Sequence, residues 1–458
     1  MTAGPLRLLA PALLAVLVAA AWPLSAYVAG PVVLPALLIA AGVAAVIAAR
    51  LEAGIAVVLV LAPFMNAAVG GGRPIRVVVS GLALLLLVAG LLLHRRRREL
   101  WGGAAHLPLF VLAFLATGAI SALFAEDPAR SLPRFLGVVA ASALYFAVVV
   151  ICRRRDQLAV VVGGALIGLL LAGLQGVSQK LTGQTSEAGV VIDGDVVGRV
   201  AGAFSHPNQF AGFLIGIIPL AAALAVTRAV PRGLRANATL AAGLALSAVV
   251  LSFTRGAVLG LAVGSLVWIA VARPRLAVPL VVAIALAGAV IAPGALGERL
   301  RSPTGDDIGL REDLWNAALD IYATSPVVGV GLANFGEAYT GLPAQLGSGT
   351  QFRLLHQSQL LVPPHANNLF LTILAEEGLL GALAFLGLLG AALWCCYRVA
   401  VREDRFASAI GIGVGAGLCA MLVHSLLEYT ILGEPALPLY ALLGVVTVLL
   451  NERTPSTP

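Results

Sequence analysis

Apolar runs of about 17 to 25 residues recur along almost the whole chain, and no other feature limits its fold so tightly. Each run is long enough to cross roughly 30 Å of hydrocarbon as a helix. The bilayer core offers backbone amides no partner outside a helix or a closed barrel. The runs are continuous rather than alternating, which argues against a barrel. Of the 458 residues 60% are hydrophobic and 11% charged, with a mean hydropathy of +0.99. A soluble domain carries roughly one charged residue in four. The sequence therefore predicts an all-α fold, a polytopic integral membrane helical bundle.

Spans are expected at about 6–22, 31–49, 53–69, 77–93, 107–124, 135–152, 158–177, 208–227, 237–253, 256–272, 276–293, 368–393, 406–427 and 434–450. The first three have only short breaks between them, so the expected number is 12–14. One long polar interruption divides the chain into N-terminal spans (1–293), a loop (294–367) and three C-terminal spans (368–458). The run beginning near Leu6 follows a single arginine and shows no convincing cleavage site, so it reads as a retained span.

Basic loops set the expected orientation. HRRRRE at 94–99, CRRRD at 152–156, RAVPRGLR at 228–235, RPR at 273–275 and YRVAVREDR at 397–405 fall on one side if the spans alternate. The positive-inside rule makes that side cytoplasmic and puts both long polar segments, 178–207 and 294–367, outside with the 125–134 loop. The same rule accounts for the net charge of +7 without nucleic acid as a partner. Cys152, Cys395, Cys396 and Cys419 all lie in or at the ends of apolar runs, so neither a disulfide framework nor a zinc site is expected.

Within the long loop, GDDIGLREDLWNAALDIYATSP has the pattern of a surface helix. Asp306 or Asp307 is placed to cap it, Leu310, Leu314, Ala317, Ala318 and Ile321 recur at helical spacing, and Ser325-Pro326 stops it. Arg311, Glu312, Asn316 and Asp320 would form its wetter face. The glycines of GVGLANFG follow no strand and belong to no βαβ unit, so they mark a turn rather than a dinucleotide site.

Four cationic or basic residues fall at outer ends of spans: Arg199 and His206 in GRVAGAFSHPNQF, Arg255 in SFTRGAVLG, and His365 in PPHANN. Arg255 has a plain alternative as an anchor reaching lipid headgroups. Yet the positive-inside bias disfavours arginine there, and its hairpin has almost no polar loop around it to explain one. His206 also fits a helix-flanking role and His365 a structural turn. Together they suggest a chemistry. The planar guanidinium fork suits bidentate binding of a diphosphate, and a histidine can take a proton from a sugar hydroxyl. Two arginines on a diphosphate leaving group and one histidine on an acceptor hydroxyl would serve glycosyl transfer from a lipid-linked donor. The outer carboxylates Asp306, Asp307, Glu312 and Asp313 suit a helix start better than a magnesium site, so no metal or other cofactor is expected.

At these residues the sequence resembles the O-antigen ligase and O-antigen polymerase superfamily of membrane glycosyltransferases. GRVAGAFSHPNQFAGFL, SFTRGAVLGL, LREDLWNAALDIYATSPVVGVGLANF and HANNLFLTILAEEGLLG carry the likeness, which covers most of residues 195–385. It implies an undecaprenyl-diphosphate-linked glycan donor, a glycolipid or glycan acceptor such as lipid A core, and a site on the periplasmic face of the bacterial inner membrane. Arg199 and Arg255 would hold the diphosphate and His365 would act as base. His206, Asn208, Arg311, Asn367 and Asn368 would line the substrate site. Family ligases often have a histidine directly before the position of Asn368; here that place holds Asn367, and His365 stands two residues further upstream. A late, single dominant loop favours ligase over polymerase. A secondary transporter is the reading from another class, disfavoured because the span interiors hold almost no acidic residue.

Overall fold

A computed structural model describes residues 50–66, 68–69, 73–93, 106–192, 195–272, 274–276, 278–279, 281–282, 286, 305–342, 365–430 and 436–452. The expected spans 6–22 and 31–49, most of 276–293, and the HRRRRE loop lie outside the described residues.

The helices are α1 (Leu51–Leu61), α2 (Ile75–Leu93), α3 (Leu107–Leu123), α4 (Pro128–Ile151), α5 (Arg155–Thr182), α6 (Pro207–Val226) and α7 (Arg232–Leu251). They continue as α8 (Arg255–Ala272), α9 (Gly305–Thr324), α10 (Phe335–Gly341), α11 (Leu369–Ala400), α12 (Arg405–Ser425) and α13 (Leu437–Asn451). Among the described residues seven helices are long and apolar enough to cross a membrane: α2, α4, α5, α6, α7, α11 and α12. The shorter apolar helices α1, α3, α8 and α13 stand where spans were expected. Large apolar side chains such as Leu92, Leu181, Val226 and Leu240 remain exposed on the bundle, as lipid-facing positions would. The protein is an all-α polytopic membrane bundle.

Helix α12 lies at the centre because its glycines let backbones touch. A Cβ on Gly417 would meet the Gly216 carbonyl oxygen of α6 at 2.2 Å, and Cβ atoms on Gly260 and Gly264 of α8 would meet the Ala420 backbone at 2.4 and 2.5 Å. Close approach of this kind substitutes dispersion for the hydrophobic drive that lipid does not supply.

The ends of the bundle are tied separately. At one end Arg155 pairs with both Asp404, the N-cap of α12, and Glu452 beyond α13. There too Arg402 donates to the carbonyls of Leu449 and Leu450. The CRRRD and YRVAVREDR loops thus share one end, as alternation requires. At the opposite end the backbone N–H of Val200 donates to Leu251 O, and Asn66 donates to Ser205.

Two features of that second end were not expected. Residues Ser186–Ile192 and Asp195–Arg199 form an antiparallel hairpin, with Ile192 opposite Asp195. Asp-Gly lies between them in sequence, a pair suited to two-residue hairpin turns. Helix α11 is also broken at Gly378, where φ is 65° and ψ −165°. Residues of the GVGLANFG turn and of Pro326–Val328 occupy the break: Val330 N–H donates to Ala375 O, Gly331 N–H to Glu376 O, and Leu379 N–H to Pro326 O. The amides and carbonyls freed by the kink are therefore satisfied within the protein.

The loop helix α9 buries Leu314, Ala317, Ala318 and Ile321 in a small core with Val330, Phe335, Tyr339, Ala366 and Ala375. It ends at Thr324, before Ser325-Pro326. It begins at Gly305, which places Asp306 and Asp307 inside the first turn. Glu312 and Asn316 face outward, while Arg311 reaches back to donate to Leu427 O at the end of α12.

Candidate functional site

The hairpin ends at Arg199, and the guanidinium is buried against the corner between α7 and α8. Nε donates to Ser252 O at 2.8 Å, and Nη2 donates to Asn208 Oδ1 at 2.7 Å and Thr254 Oγ1 at 3.1 Å. These bonds grip the corner on both sides of Phe253, whose φ of 49° is rare for a bulky residue. The next residue after the grip is Arg255, half-buried in the first turn of α8. Arg199 and Arg255 are thus brought together, but Arg199 spends at least two of its nitrogens on holding the corner.

Pro207 opens α6, and His206 is its N-cap, the ring Nδ1 accepting from Asn208 N–H at 3.2 Å. The Asn208 side chain is bonded to protein at both ends. Oδ1 accepts from Arg199, and Nδ2 donates to Glu428 Oε2. Its backbone carbonyl meets His424 Nε2 at 3.1 Å. Asn208 therefore acts as a connector between the Arg199 corner and the end of α12.

His365 repeats the local geometry of His206. Its Nδ1 accepts from Asn367 N–H at 3.2 Å, two residues on. Asn367 has φ 51°, a left-handed conformation that Asn and His adopt more readily than most residues. Asn368 is the N-cap of α11, its Oδ1 accepting from Phe370 and Leu371 N–H. A histidine and an asparagine are equally suited to position 367, which gives a backbone reason for the exchange noted in the sequence.

The His365 ring stacks on Tyr429 at 5.3 Å and 14°, and the Arg134 guanidinium lies 4.7 Å from the centre of the same Tyr429 ring. His365 Nε2 is 4.0 Å from Glu428 Oε1. Burial, aided by the charge of Arg199, lowers the pKa of His206 to about 4. Burial lowers His365 to about 4 as well, helped by Arg134 and His206 and opposed by hydrogen bonding to Asn367. Both rings are neutral at pH 7. Burial raises the Glu428 carboxyl above the usual range, against the pull of Asn208, the Tyr429 amide, Arg311 and Arg199.

Glu428, Tyr429, Arg134 and His424 were not singled out in the sequence. Arg134 carried the signal used for Arg255, an arginine on the side the positive-inside rule disfavours. The reading that span interiors hold almost no acid is corrected by α11, where Glu376 and Glu377 are buried beside the break. Glu376 Oε1 accepts from Phe335 N–H at 3.3 Å, so this acid joins helix to loop.

A many-helix membrane bundle with guanidinium, imidazole and carboxylate groups converging at one end, under a loop with its own small core, defines a polytopic membrane protein with a polar site at one rim. Residues 240–386 match the family model described as O-antigen ligase, and that match supports placing this segment in the O-antigen ligase superfamily. The matched segment runs from α7 through Arg255 and the loop to the middle of α11; Arg199, His206, Asn208 and Glu428 lie beyond it. No curated protein gives a significant match to the chain.

Proposed function

We propose that the chain transfers a glycan from an undecaprenyl-diphosphate-linked donor to an acceptor such as lipid A core, at the periplasmic face of the bacterial inner membrane. The observation that carries this reading is the convergence of the Arg199–Thr254–Arg255 corner, Asn208, Glu428 and His365, from four separate stretches of chain, at one end of the bundle. That end is opposite the one tied by Arg155 and Arg402, the loops that the positive-inside rule assigns to the cytoplasm.

Arg255 binds the donor diphosphate from the first turn of α8, where the helix dipole adds positive potential. Arg199 supplies positive charge beside it and holds the corner. Each charge-assisted bond contributes roughly 1.5 to 3 kcal/mol. Bonds that tighten as charge develops on the leaving diphosphate lower the barrier. His365 meets the acceptor hydroxyl. The loop 294–367 forms a periplasmic unit between two sets of spans, and Arg311 fixes it onto the end of α12. Asn367 and Asn368 contribute by shaping the turn that presents His365.

The test is product analysis with the purified chain, a polyprenyl-diphosphate oligosaccharide, and either lipid A core or a second lipid-linked oligosaccharide as acceptor. Attachment to lipid A core supports the ligase reading, and chain extension supports a polymerase, the second reading that the same donor site allows. Glycan-lipid movement across vesicles without any new glycosidic bond would instead favour transport. Arg255→Ala is expected to abolish transfer while the protein still inserts; retained activity removes Arg255 from the mechanism.

A further inference from the structure

We propose that the Glu428 carboxylate, rather than the His365 ring, receives the proton of the acceptor hydroxyl; the assignment rests on the transfer function proposed for the site. The ring has no lone pair to offer. Its Nδ1 accepts the Asn367 amide at 3.2 Å, so in the neutral ring the proton sits on Nε2, the nitrogen that faces Glu428. Nε2 is therefore a donor, and the nearby acceptor is Oε1.

The spacing between them fits a hydroxyl. Nε2 and Oε1 are 4.0 Å apart, too far for a direct hydrogen bond. An oxygen about 2.8 Å from each would sit between them with an angle of roughly 90° at that oxygen. It would accept from His365 Nε2–H and donate to Oε1, leaving its other lone pair for the anomeric carbon. The side chains of His365 and Glu428 keep exposures of 12% and 9%.

The carboxylate is held for this task. Oε2 accepts from Asn208 Nδ2, whose Oδ1 accepts from Arg199, so the base is joined by two hydrogen bonds to the corner that carries Arg255. The Tyr429 amide lies against Oε1 at 3.4 Å. His365 is fixed in turn by stacking on Tyr429, with Arg134 against that ring. Arg199 and Arg311 are the cations acting on Glu428, and His424 touches Asn208 from behind. Burial makes the carboxyl more basic than usual, against the pull of Asn208, the Tyr429 amide and these cations.

In the step, the acceptor O–H bond breaks and its proton passes to Glu428 Oε1. The oxygen forms a bond to the anomeric carbon, and the bond from that carbon to the diphosphate breaks, its electron pair leaving on the phosphate oxygen. The protonated Glu428 returns its proton to solvent or to the departing diphosphate.

The experiment uses the full chain in lipid nanodiscs with a polyprenyl-diphosphate oligosaccharide donor and whichever of the two acceptors, lipid A core or a lipid-linked oligosaccharide, supports turnover. Wild type, Glu428→Gln, Glu428→Ala with and without formate, and His365→Gln are compared for kcat across pH and for donor binding. Glu428→Gln keeps the size and an acceptor for Asn208. It is expected to lower kcat by about 100-fold or more, abolish the acid limb of the pH profile, and leave donor affinity within about two-fold. Formate is expected to restore part of the Glu428→Ala rate, and His365→Gln is expected to keep the acid limb. A Glu428→Gln enzyme that retains that limb and more than about a tenth of the rate overturns the assignment. So does loss of donor binding in both Glu428 variants, which would mark a structural role. Wild type inactive with every acceptor overturns the transfer reading itself, a result distinct from an active wild type matched by its Glu428 variants.

Discussion

Arg199 makes three hydrogen bonds to three residues through a planar fork, and a lysine ammonium in that place could satisfy only part of the set. Arg199→Lys is expected to lower thermal stability by about 1 to 3 kcal/mol, because buried acceptors lose partners. Transfer should fall at least ten-fold as the Phe253 corner relaxes. Unfolding in detergent and initial rates check both. Asn367 supplies the opposite case. Asn367→His keeps a residue type tolerant of φ 51° and should stay within about 0.5 kcal/mol of wild type, whereas Asn367→Val should cost roughly 1 to 3 kcal/mol. The two histidines set a pH dependence. Their folded pKa values, about 4, lie below the unfolded 6.5, so the unfolded chain binds more protons in between. Stability should therefore fall as pH drops from 6.5 towards 4, and the fall should be shallower in His206→Gln or His365→Gln. Glu428, with its pKa raised, acts in the other direction and favours the fold at lower pH. Melting curves across this range test the balance. Arg255 and His365 stood out as candidates at this scale because cationic and basic groups at outer span ends are conspicuous. Glu428 was not, since one acid after an apolar run looks like an ordinary loop residue until His365 and Asn208 are placed against it.

Among the elements, the broken helix α11 and the turn that fills its break depend on each other. Gly329, with φ 72°, brings its backbone so close to Glu376 that a Cβ would meet the Glu376 carbonyl carbon at 2.2 Å. Gly329→Ala is expected to destabilise the protein by more than about 1 kcal/mol, and to expose the loop to protease before the bundle unfolds. Limited proteolysis followed over temperature would show whether α9 and α10 separate first. The amphipathic pattern of α9 was readable because Leu314, Ala317, Ala318 and Ile321 share a helix face whatever they pack against. The break at Gly378 was not. A glycine inside an apolar run is common, and it is the tertiary structure, in the Gly378 backbone angles and the hydrogen bonds from Val330 and Gly331 to the carbonyls of Ala375 and Glu376, that shows the helix interrupted there. The hairpin leading to Arg199 was missed for a related reason: in a chain of long apolar runs, a polar stretch was read as loop although Asp-Gly between short valine runs was present.

For the whole molecule, alternation of spans places Arg153 and Glu337 at opposite ends. Arg153→Cys and Glu337→Cys are expected to react with an impermeant maleimide from opposite sides of sealed vesicles. Reaction from the same side would contradict the alternation and, with it, the proposed periplasmic placement of the site. Cys152, Cys395 and Cys396 are buried and leave the background low, with Cys419 the partly exposed native thiol to replace. The amino-acid sequence by itself determined the class of fold and, among the described residues, where the apolar helices lie. Hydrocarbon thickness and the need to pair every amide are local demands that each run meets alone. What tertiary structure decided was the set of neighbours at the site: Glu428 against Asn208 and His365, Tyr429 under the imidazole, the turn in the helix break. Those contacts join residues up to 220 positions apart, and they depend on backbones brought close by glycines, in α12 against α6 and α8 and at Gly329 and Gly378 in the break, a property of the assembled bundle that no single run carries.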